Sequence, residues 1–356
     1  MSDPLRVAYT LEQCWHDVPG GTAVAALEVA KRLAVRSDVD LVGVAGRHRG
    51  APRPGFEPPA PVEHLPLARP WLYETWNRFE WPLVERATGP VDVCHSTTSI
   101  PGATRAPHVV TIHDIAFMHS PERFTSHGVK VMTRGLERGR SADLVICPTE
   151  VTKGELIDSG FAANAIRVVP LGVNTFVADA EAAAQALRPL VLPDEFVLFV
   201  GTVEPRKNLA ALAAATAMID MPLVVAGAPG WGDVAVPATA DVTFLGHVPA
   251  NVLNALYVTA SVFAYPSLHE GFGLPVLEAM AHGTAVVTSR GTATEEAAGG
   301  AAVLIDPADI ESIAAGLRTA LDNAPRLVRL GTDRAAACSW EVTADATVEC
   351  YREVAP

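Results

Sequence analysis

Short apolar runs alternate with helix-like segments along the whole chain, and this alternation limits the fold more than any other feature. It is the pattern of strand-helix-strand units, which build parallel sheets. The predicted strands of the first half are 7–9, 41–44, 91–95, 109–112, 144–147 and 166–169. Those of the second half are 196–200, 223–226, 242–245, 262–265, 285–288 and 303–305. We therefore expect two doubly wound α/β sheets.

The chain has 356 residues, more than one hydrophobic core usually supports, so two domains facing across a cleft are expected. Between the halves, residues 170–174 combine a proline with a glycine after a strand, and an Ala-rich polar stretch continues to Pro193. The linker is predicted there. Residues 50–70 are rich in Pro and Arg without apolar period, so we expect a loop excursion of the first domain.

Composition excludes several functional classes. The 27 Lys and Arg against 40 Asp and Glu give a formal charge of -13, which argues against nucleic acid as a partner. The part up to residue 140 is nearly neutral, so either a basic face that contacts anionic lipid or a solvated mixed-charge surface fits it. No apolar run is long enough to span a bilayer, and the N-terminus lacks a secretion signal. We expect a cytoplasmic protein.

The five scattered cysteines form no C-x-x-C pair, so the sequence favours neither a disulfide framework nor a zinc site.

Two loops of the first half carry candidate site residues. Gly20-Gly21-Thr22 opens a predicted helix, where the glycines would let the backbone approach a phosphate; a simple turn and cap is the alternative. No G-x-G-x-x-G follows the strand, which argues against a dinucleotide oxidoreductase. His113-Asp114 ends another strand, and His113 would bind a substrate hydroxyl or act as acid or base. A histidine satisfied by Asp114 is an equal alternative.

The loop after the first strand of the second half contains adjacent Arg206 and Lys207, followed by Asn208 as the expected helix cap. Two cations beside the positive end of a helix dipole suit a diphosphate. Solvent-exposed charges flanking a cap is the alternative interpretation.

The segment from Glu270 to Glu278 places two carboxylates around a glycine-rich helix start. Gly271 and Gly273 would expose backbone N–H groups to an anion, and carboxylates accept from neighbouring sugar or ribose hydroxyls. An exposed helical glutamate is the alternative for Glu278. After the next strand, the pair at 295–296 would either join the site or only favour the helix dipole.

Together these motifs resemble glycosyltransferase family 4, the retaining glycosyltransferases of GT-B fold. The resemblance runs over most of the chain: Gly20-Gly21, His113-Asp114, 169–174, 200–208, 246–248, 270–278 and Glu296. It implies two Rossmann-like domains, an acceptor-side domain of residues 1–175 plus 341–356 and a nucleotide-sugar domain of residues 176–340. In this pattern the last helix returns to the first domain.

The resemblance also implies roles for single residues. Arg206 and Lys207 would bind the donor diphosphate, the backbone near Val248 the base, and Glu278 the ribose hydroxyls. Glu270 and the amides of residues 272–274, namely Phe272, Gly273 and Leu274, would hold the donor sugar. His113 would meet the sugar from the opposite domain, Gly20 and Gly21 lie at the diphosphate, and Glu296 lies near ribose and phosphate. Thr202 stands where many members have an arginine, so the division of labour between Arg206 and Lys207 stays open.

The family implies a metal-independent displacement with retention, with a nucleotide-diphosphate sugar as donor substrate and no cofactor. GDP-mannose is favoured because Glu204-Pro-Arg-Lys-Asn-Leu209 resembles mannosyltransferases of surface polysaccharide assembly, and a UDP-sugar is the alternative. The acceptor would be a glycan or a lipid-linked molecule, the latter with a peripheral contact at the inner face of the membrane. Rival hypotheses are a nucleotide-sugar epimerase or phosphorylase of the same fold, and a nucleotide-sugar-binding protein without turnover.

Overall fold

The structure, a computed structural model, describes residues 3–16, 20–176, 179–230 and 236–356. The chain forms two compact units. Unit 1 is Met1–Leu171 with Trp340–Pro356, and unit 2 is Gly172–Ser339. Each unit is built on one sheet in which every strand pairing is parallel.

The sheet of unit 1 has seven strands in the order β3-β2-β1-β4-β5-β6-β7. They are β1 Leu5–Thr10, β2 Val39–Ala45, β3 Val62–His64, β4 Val93–Ser96, β5 His108–Thr111, β6 Leu144–Cys147 and β7 Ile166–Val168. Strand β1 pairs with β2 on one side and β4 on the other, with Val7 opposite Leu41 and Val93. The order reverses between β1 and β4, which is where a doubly wound sheet binds its ligand.

All six strands predicted for the first half are present. The excursion expected at residues 50–70 also contains a short strand that was not predicted. Val62–His64 pairs with β2 as an edge strand. The sequence gives little signal for it because only three residues pair, and two of them are exposed charged or polar groups.

The six helices that precede the unit boundary have the bounds α1 Gly20–Leu33, α2 Arg69–Phe79, α3 Glu85–Thr88, α4 Ala116–His119, α5 Ser126–Gly139 and α6 Glu150–Asp158. Helix α1 forms where a helix was predicted, and its apolar residues Leu27, Ala30 and Leu33 are buried. Threonine hydroxyls cap α5 and α6, since Thr125 accepts from Gly128 N at 3.0 Å and Thr149 accepts from Thr152 N at 3.1 Å.

Unit 2 has a six-stranded sheet in the order β10-β9-β8-β11-β12-β13. Its strands are β8 Val197–Val200, β9 Leu223–Ala226, β10 Val242–Gly246, β11 Val262–Tyr265, β12 Val286–Ser289 and β13 Val303–Ile305. All four residues of β8, β9, β11 and β12 are buried, and β8, β9 and β11 are accordingly continuous apolar runs in the sequence. Here the strand order reverses between β8 and β11.

The helices of unit 2 are α7 Ala180–Leu187, α8 Leu209–Ala217, α9 Ala250–Thr259, α10 Leu274–Ala281, α11 Ala293–Ala298, α12 Ile310–Asp322 and α13 Ala324–Ala337. Helix α7 lies inside the stretch expected to be linker. Asp179 caps it by accepting from the N–H groups of Glu181 and Ala182, both at 3.0 Å. The linker prediction missed that an alanine-rich polar stretch is also a good helix former.

The last helix, α14 Trp340–Val354, belongs to unit 1. It packs beside α1, and the Tyr351 hydroxyl is hydrogen bonded to His95 Nδ1 at 2.6 Å. Thr343 donates to the Pro170 carbonyl at 2.8 Å. Within the described ranges, no helix combines the length and apolar character needed to cross a bilayer.

Candidate functional site

The charged candidates of unit 2 meet at the carboxyl ends of β8 and β11, where the strand order reverses. The loop after β8 leads into a 3-10 turn, Pro205–Lys207, that carries both cations. The loop after β11 carries Glu270. Parallel strands end at one edge of the sheet, so residues more than sixty positions apart in sequence are brought into contact.

Arg206 is an ion-pair partner of two glutamates. Its guanidinium lies 2.7 Å from Glu204 Oε1 and 2.6 Å from Glu270 Oε2. It also donates to the carbonyl of His269 at 3.0 Å. Although burial opposes its charge, the carboxylates of Glu270 and Glu204 hold the Arg206 pKa above its usual value. Arg206 therefore stays cationic and fixes the loop that follows β11.

Lys207 is buried, with 8% of its surface exposed. Its Nζ donates to the Tyr265 hydroxyl at 2.9 Å. Burial lowers the Lys207 pKa, and the Glu270 charge opposes this shift. Gly201 makes room for the side chain, because a Cβ at that position would lie 2.4 Å from Nζ. The alternative of solvent-exposed charges beside a helix cap was therefore wrong for Lys207.

Asn208 does not cap the following helix as predicted. It adopts the left-handed conformation, with φ 60°, and its side chain makes no cap hydrogen bond to α8. Instead, Nδ2 donates to the carbonyl of Pro307 at 2.6 Å. The residue still ends the 3-10 turn, which asparagine does well because it tolerates positive φ. The Asn208 side chain therefore binds the loop after β13 and does not cap α8.

The Glu270 carboxylate has three hydrogen-bond or ion-pair partners. Oε1 accepts from the Tyr265 hydroxyl at 2.8 Å and from Ser267 Oγ at 3.1 Å, while Oε2 faces Arg206. Burial alone would raise the Glu270 pKa, but the charges of Lys207 and Arg206 outweigh it and the pKa is lowered. Glu270 is therefore an ionised acceptor, suited to sugar hydroxyls.

Glu278 lies on α10 in a different environment. Its Oε2 accepts from the Tyr257 hydroxyl at 2.9 Å, and burial raises its pKa despite that bond. The Tyr257 ring in turn stacks on His282, with centroids 5.1 Å apart. The alternative of an exposed helical glutamate was wrong, because this carboxyl is half-buried and has a phenol donor.

The glycine-rich start of α10 is held by close packing. Gly273 precedes the helix with φ 99°, and a Cβ there would meet Thr294 Cγ2 at 2.8 Å. Phe272 is buried, and Leu274 begins the helix. The first N–H groups of a helix have no intrahelical acceptor, so this turn offers donors to an anion or a sugar oxygen.

The remaining candidates of unit 2 lie at neighbouring strand ends. Glu295 lies in the first turn of α11 and accepts from Gly291 N at 2.5 Å. Glu296 is half-buried on the same helix, and its carbonyl accepts from Arg334 at 2.9 Å. Val248 is half-buried in the loop after β10.

In unit 1, His113 follows β5 and Gly20 and Gly21 begin α1. Both glycines are exposed, and Gly20 has φ +65° with open space where a Cβ would stand. His113 Nε2 is buried without a hydrogen-bond partner, and burial lowers its pKa to about 4 although Asp114 opposes the shift. Asp114 instead accepts from Ala116 N at 3.0 Å. The satisfied-histidine alternative is therefore wrong for Nε2.

Four contributing side chains were not predicted as site residues: Glu204, Tyr257, Tyr265 and Ser267. Tyr265 and Ser267 flank Pro266 a few residues before Glu270, so polar groups at a buried strand end were the available signal. Tyr257 gave no such signal, since it lies on α9 among apolar residues and only the fold brings it to Glu278.

Two family profiles match the chain. Residues 19–176 match Glycosyltransferase Family 4, and residues 194–323 match Glycosyl transferases group 1. O-antigen chain mannosyltransferase B of Escherichia coli is 31% identical over 68% of this chain and 70% of its own length. D-inositol 3-phosphate glycosyltransferase of Acidothermus cellulolyticus is 29% identical over 94% of this chain and 86% of its own length.

Solved structures of similar fold include that of HepE from Anabaena in complex with UDP-glucose. It superimposes with a TM-score of 0.71 at 18% identity, over 98% of this chain and all of that one. At this identity the likeness concerns the fold, which is that of the GT-B glycosyltransferases.

Proposed function

The chain belongs to the family 4 glycosyltransferases of GT-B fold, and from that premise we propose that it transfers a hexose from a nucleotide-sugar to an acceptor hydroxyl. The observation that carries the proposal is the cluster of Arg206, Lys207, Tyr265 and Glu270 at the strand-order reversal of unit 2. It combines two cations with an ionised carboxylate and a glycine-rich helix start, which matches a sugar joined to a diphosphate.

We propose that different residues bind different parts of the donor. Arg206 and Lys207 bind the diphosphate and stabilise the charge that develops as it departs. Glu270 and the amides of residues 272–274 hold the sugar. Glu278 accepts from the ribose hydroxyls near Glu296, and the backbone near Val248 binds the base.

In unit 1, Gly20, Gly21 and His113 are proposed substrate contacts. The unpartnered Nε2 of His113 supports this, because a buried ring nitrogen without a protein partner is left for a ligand hydroxyl.

The proposed reaction is a displacement with retention. The acceptor oxygen forms a bond to the anomeric carbon while the bond from that carbon to the diphosphate oxygen breaks. The electron pair of the broken bond leaves with the nucleoside diphosphate, which takes the proton of the acceptor hydroxyl. Neither glutamate forms a covalent bond, since Glu270 is tied by Arg206 and Tyr265, and Glu278 is proposed to bind ribose. Arg206 and Lys207 supply the positive charge, so we propose that no metal ion is required.

Mannose from GDP-mannose is the favoured donor. Support comes from the mannosyltransferase relative of Escherichia coli, whose name also states an O-antigen chain as its context. UDP-glucose, which HepE binds, is the competing donor. A glycan or lipid-linked acceptor is proposed, at the cytoplasmic side of a membrane in the second case. Trp71 and Phe79, each 71% exposed on α2, are apolar side chains that suit such a surface.

The test is a donor screen with purified protein. GDP-mannose, UDP-glucose and other nucleotide-sugars are incubated with and without lipid-linked and glycoside acceptors, and nucleoside diphosphate release is measured. Transfer of a hexose, with the anomeric configuration of the product kept, is expected. Binding of a donor without release or transfer would favour the non-catalytic alternative, and neither binding nor consumption of any donor would overturn the proposal.

A further inference from the structure

Unit 1 contains a pocket of about 260 Å³ at the carboxyl ends of three adjacent strands. Gln13 reaches it from the turn after β1, Thr98 and Ser99 from the loop after β4, and His113 from the loop after β5. The strand order reverses between β1 and β4, so the pocket occupies the position where this type of sheet binds ligands. The pocket has room for a sugar ring.

Gln13 is the unusual residue of this pocket. Its side chain is 1% exposed, and Nε2 donates to Thr97 Oγ1 at 2.6 Å. Thr97 is fixed in turn, because its hydroxyl donates to the carbonyl of Thr10 at 2.6 Å. The other end of the amide, Oε1, is buried and has no hydrogen-bond partner. A buried acceptor without a donor is costly, and a hydroxyl entering the pocket would relieve that cost.

The other walls of the pocket disfavour a negatively charged ligand. Tyr73 and Phe117 present aromatic rings, and Tyr73 is backed by Trp76 with centroids 6.2 Å apart. Among the lining residues in the described ranges there is neither lysine nor arginine, whereas Asp114 contributes a carboxylate. The Asp114 carboxylate repels a phosphate, and no lysine or arginine side chain among the described lining residues offsets that repulsion.

We propose that this pocket binds the acceptor as a neutral, unphosphorylated sugar ring, with Gln13 Oε1 accepting from one ring hydroxyl and Tyr73 lying against an apolar face. The inference rests on the proposed transferase function but adds the chemical class of the acceptor. Gln13 is then a specificity-determining residue.

The experiment compares matched pairs of ligands on the full chain. Methyl α-mannoside, α-glucoside and α-galactoside are each tested beside their 6-phosphates, by calorimetry for binding and by transfer from the donor for turnover. At least one neutral glycoside is expected to bind, with its phosphate weaker by roughly a hundredfold, because an uncompensated charge would enter the pocket. A phosphorylated glycoside that binds as well as its neutral partner, or the absence of binding by any neutral glycoside, would overturn the proposal.

Variants assign the effect to the pocket. Gln13→Leu is expected to weaken binding of the neutral glycoside and raise its KM by about tenfold, the range of one hydrogen bond. Gln185→Leu, at the exposed glutamine of α7, is the matched control and should leave both unchanged. If Gln13→Leu does not fold, Tyr73→Leu, at a half-buried position, tests the opposite wall and should also raise the KM.

Unaltered affinity in a folded Gln13→Leu variant contradicts the assignment. Because glycoside binding is measured without a donor, its failure is distinct from failure of the transferase proposal, which would show as no donor consumption with any acceptor.

Discussion

The Lys207 ammonium donates to the Tyr265 hydroxyl at 2.9 Å, and that hydroxyl donates to Glu270 at 2.8 Å. A single buried phenol therefore connects the proposed phosphate-binding cation to the proposed sugar-binding carboxylate. The arrangement fixes both side chains before a ligand arrives, as preorganised electrostatic sites require.

Tyr265→Phe tests this connection. Lys207 loses its phenol acceptor and Glu270 loses one of its donors, so both side chains gain freedom. Since a hydrogen bond to a charged group contributes about 1.5–3 kcal/mol, kcat/KM for the donor should fall by roughly ten- to a hundredfold. Steady-state kinetics with varied donor measure the change.

Tyr9→Phe is the matched control for Tyr265→Phe. Tyr9 is equally buried, and its hydroxyl donates to the carbonyl of Ala26 at 3.0 Å in unit 1. It should lower Tm to a similar extent and leave the donor KM unchanged. If both variants reduce kcat/KM alike, Tyr265 has only a structural role.

Lys207→Ala should reduce turnover far more than stability. The variant removes a cation from the proposed leaving group, which we expect to cost about 10²- to 10³-fold in kcat. Tm should change little, because Arg206 continues to neutralise Glu270 at 2.6 Å. Lys153→Ala, which breaks only a 3.3 Å pair with Glu150, is the control. Normal turnover accompanied by a large loss of Tm would contradict the assigned role.

The sequence was sufficient to predict twelve of the thirteen described strands and the site loops that follow them, because most of these strands contain a short apolar run. It was insufficient where geometry depends on contacts distant in sequence. Asparagine is a common helix cap, yet the side chain of Asn208 donates to the carbonyl of Pro307. Tyr257 becomes a partner of Glu278 only through the packing of α9 against α10. The short strand β3 forms because β2 offers it an edge, not because its own residues favour it.

The two glutamates should affect stability with opposite pH dependence. The lowered pKa of Glu270 stabilises the fold above the ordinary value of 4.5, and this contribution is lost as pH falls through the lowered pKa. The raised pKa of Glu278 stabilises the fold below 4.5, and that contribution is lost as pH rises through the raised pKa. Between acid and neutral pH, the Tm difference between wild type and Glu270→Gln should grow, while that for Glu278→Gln should shrink. Parallel profiles for the two variants would show that the assigned environments are incorrect.

Removal of divalent metal should leave turnover unchanged. Arg206 and Lys207 place two cations beside Glu270, and we propose that these supply the positive charge that a metal ion would otherwise provide to the diphosphate. The measurement is donor consumption after treatment with EDTA, with Mg²⁺ or Mn²⁺ added back. Activity that EDTA abolishes and either ion restores would refute metal independence.

Gly273→Ala should weaken donor binding and stability together, because the residue has φ 99° and the added Cβ would lie 2.8 Å from Thr294 Cγ2. Left-handed backbone costs a non-glycine residue about 1–2 kcal/mol, and overpacking adds roughly 1–3 kcal/mol. Gly300→Ala separates the two effects, since it has φ +82° with open space around the new Cβ. This variant should lose only the stability that left-handed backbone costs an alanine, and its donor affinity should not change. The Gly273→Ala/Thr294→Ser double variant removes the obstructing methyl group. It should therefore regain the stability that overpacking costs the single variant. If the double variant is no more stable than Gly273→Ala in chemical denaturation, close packing of Thr294 does not hold the start of α10.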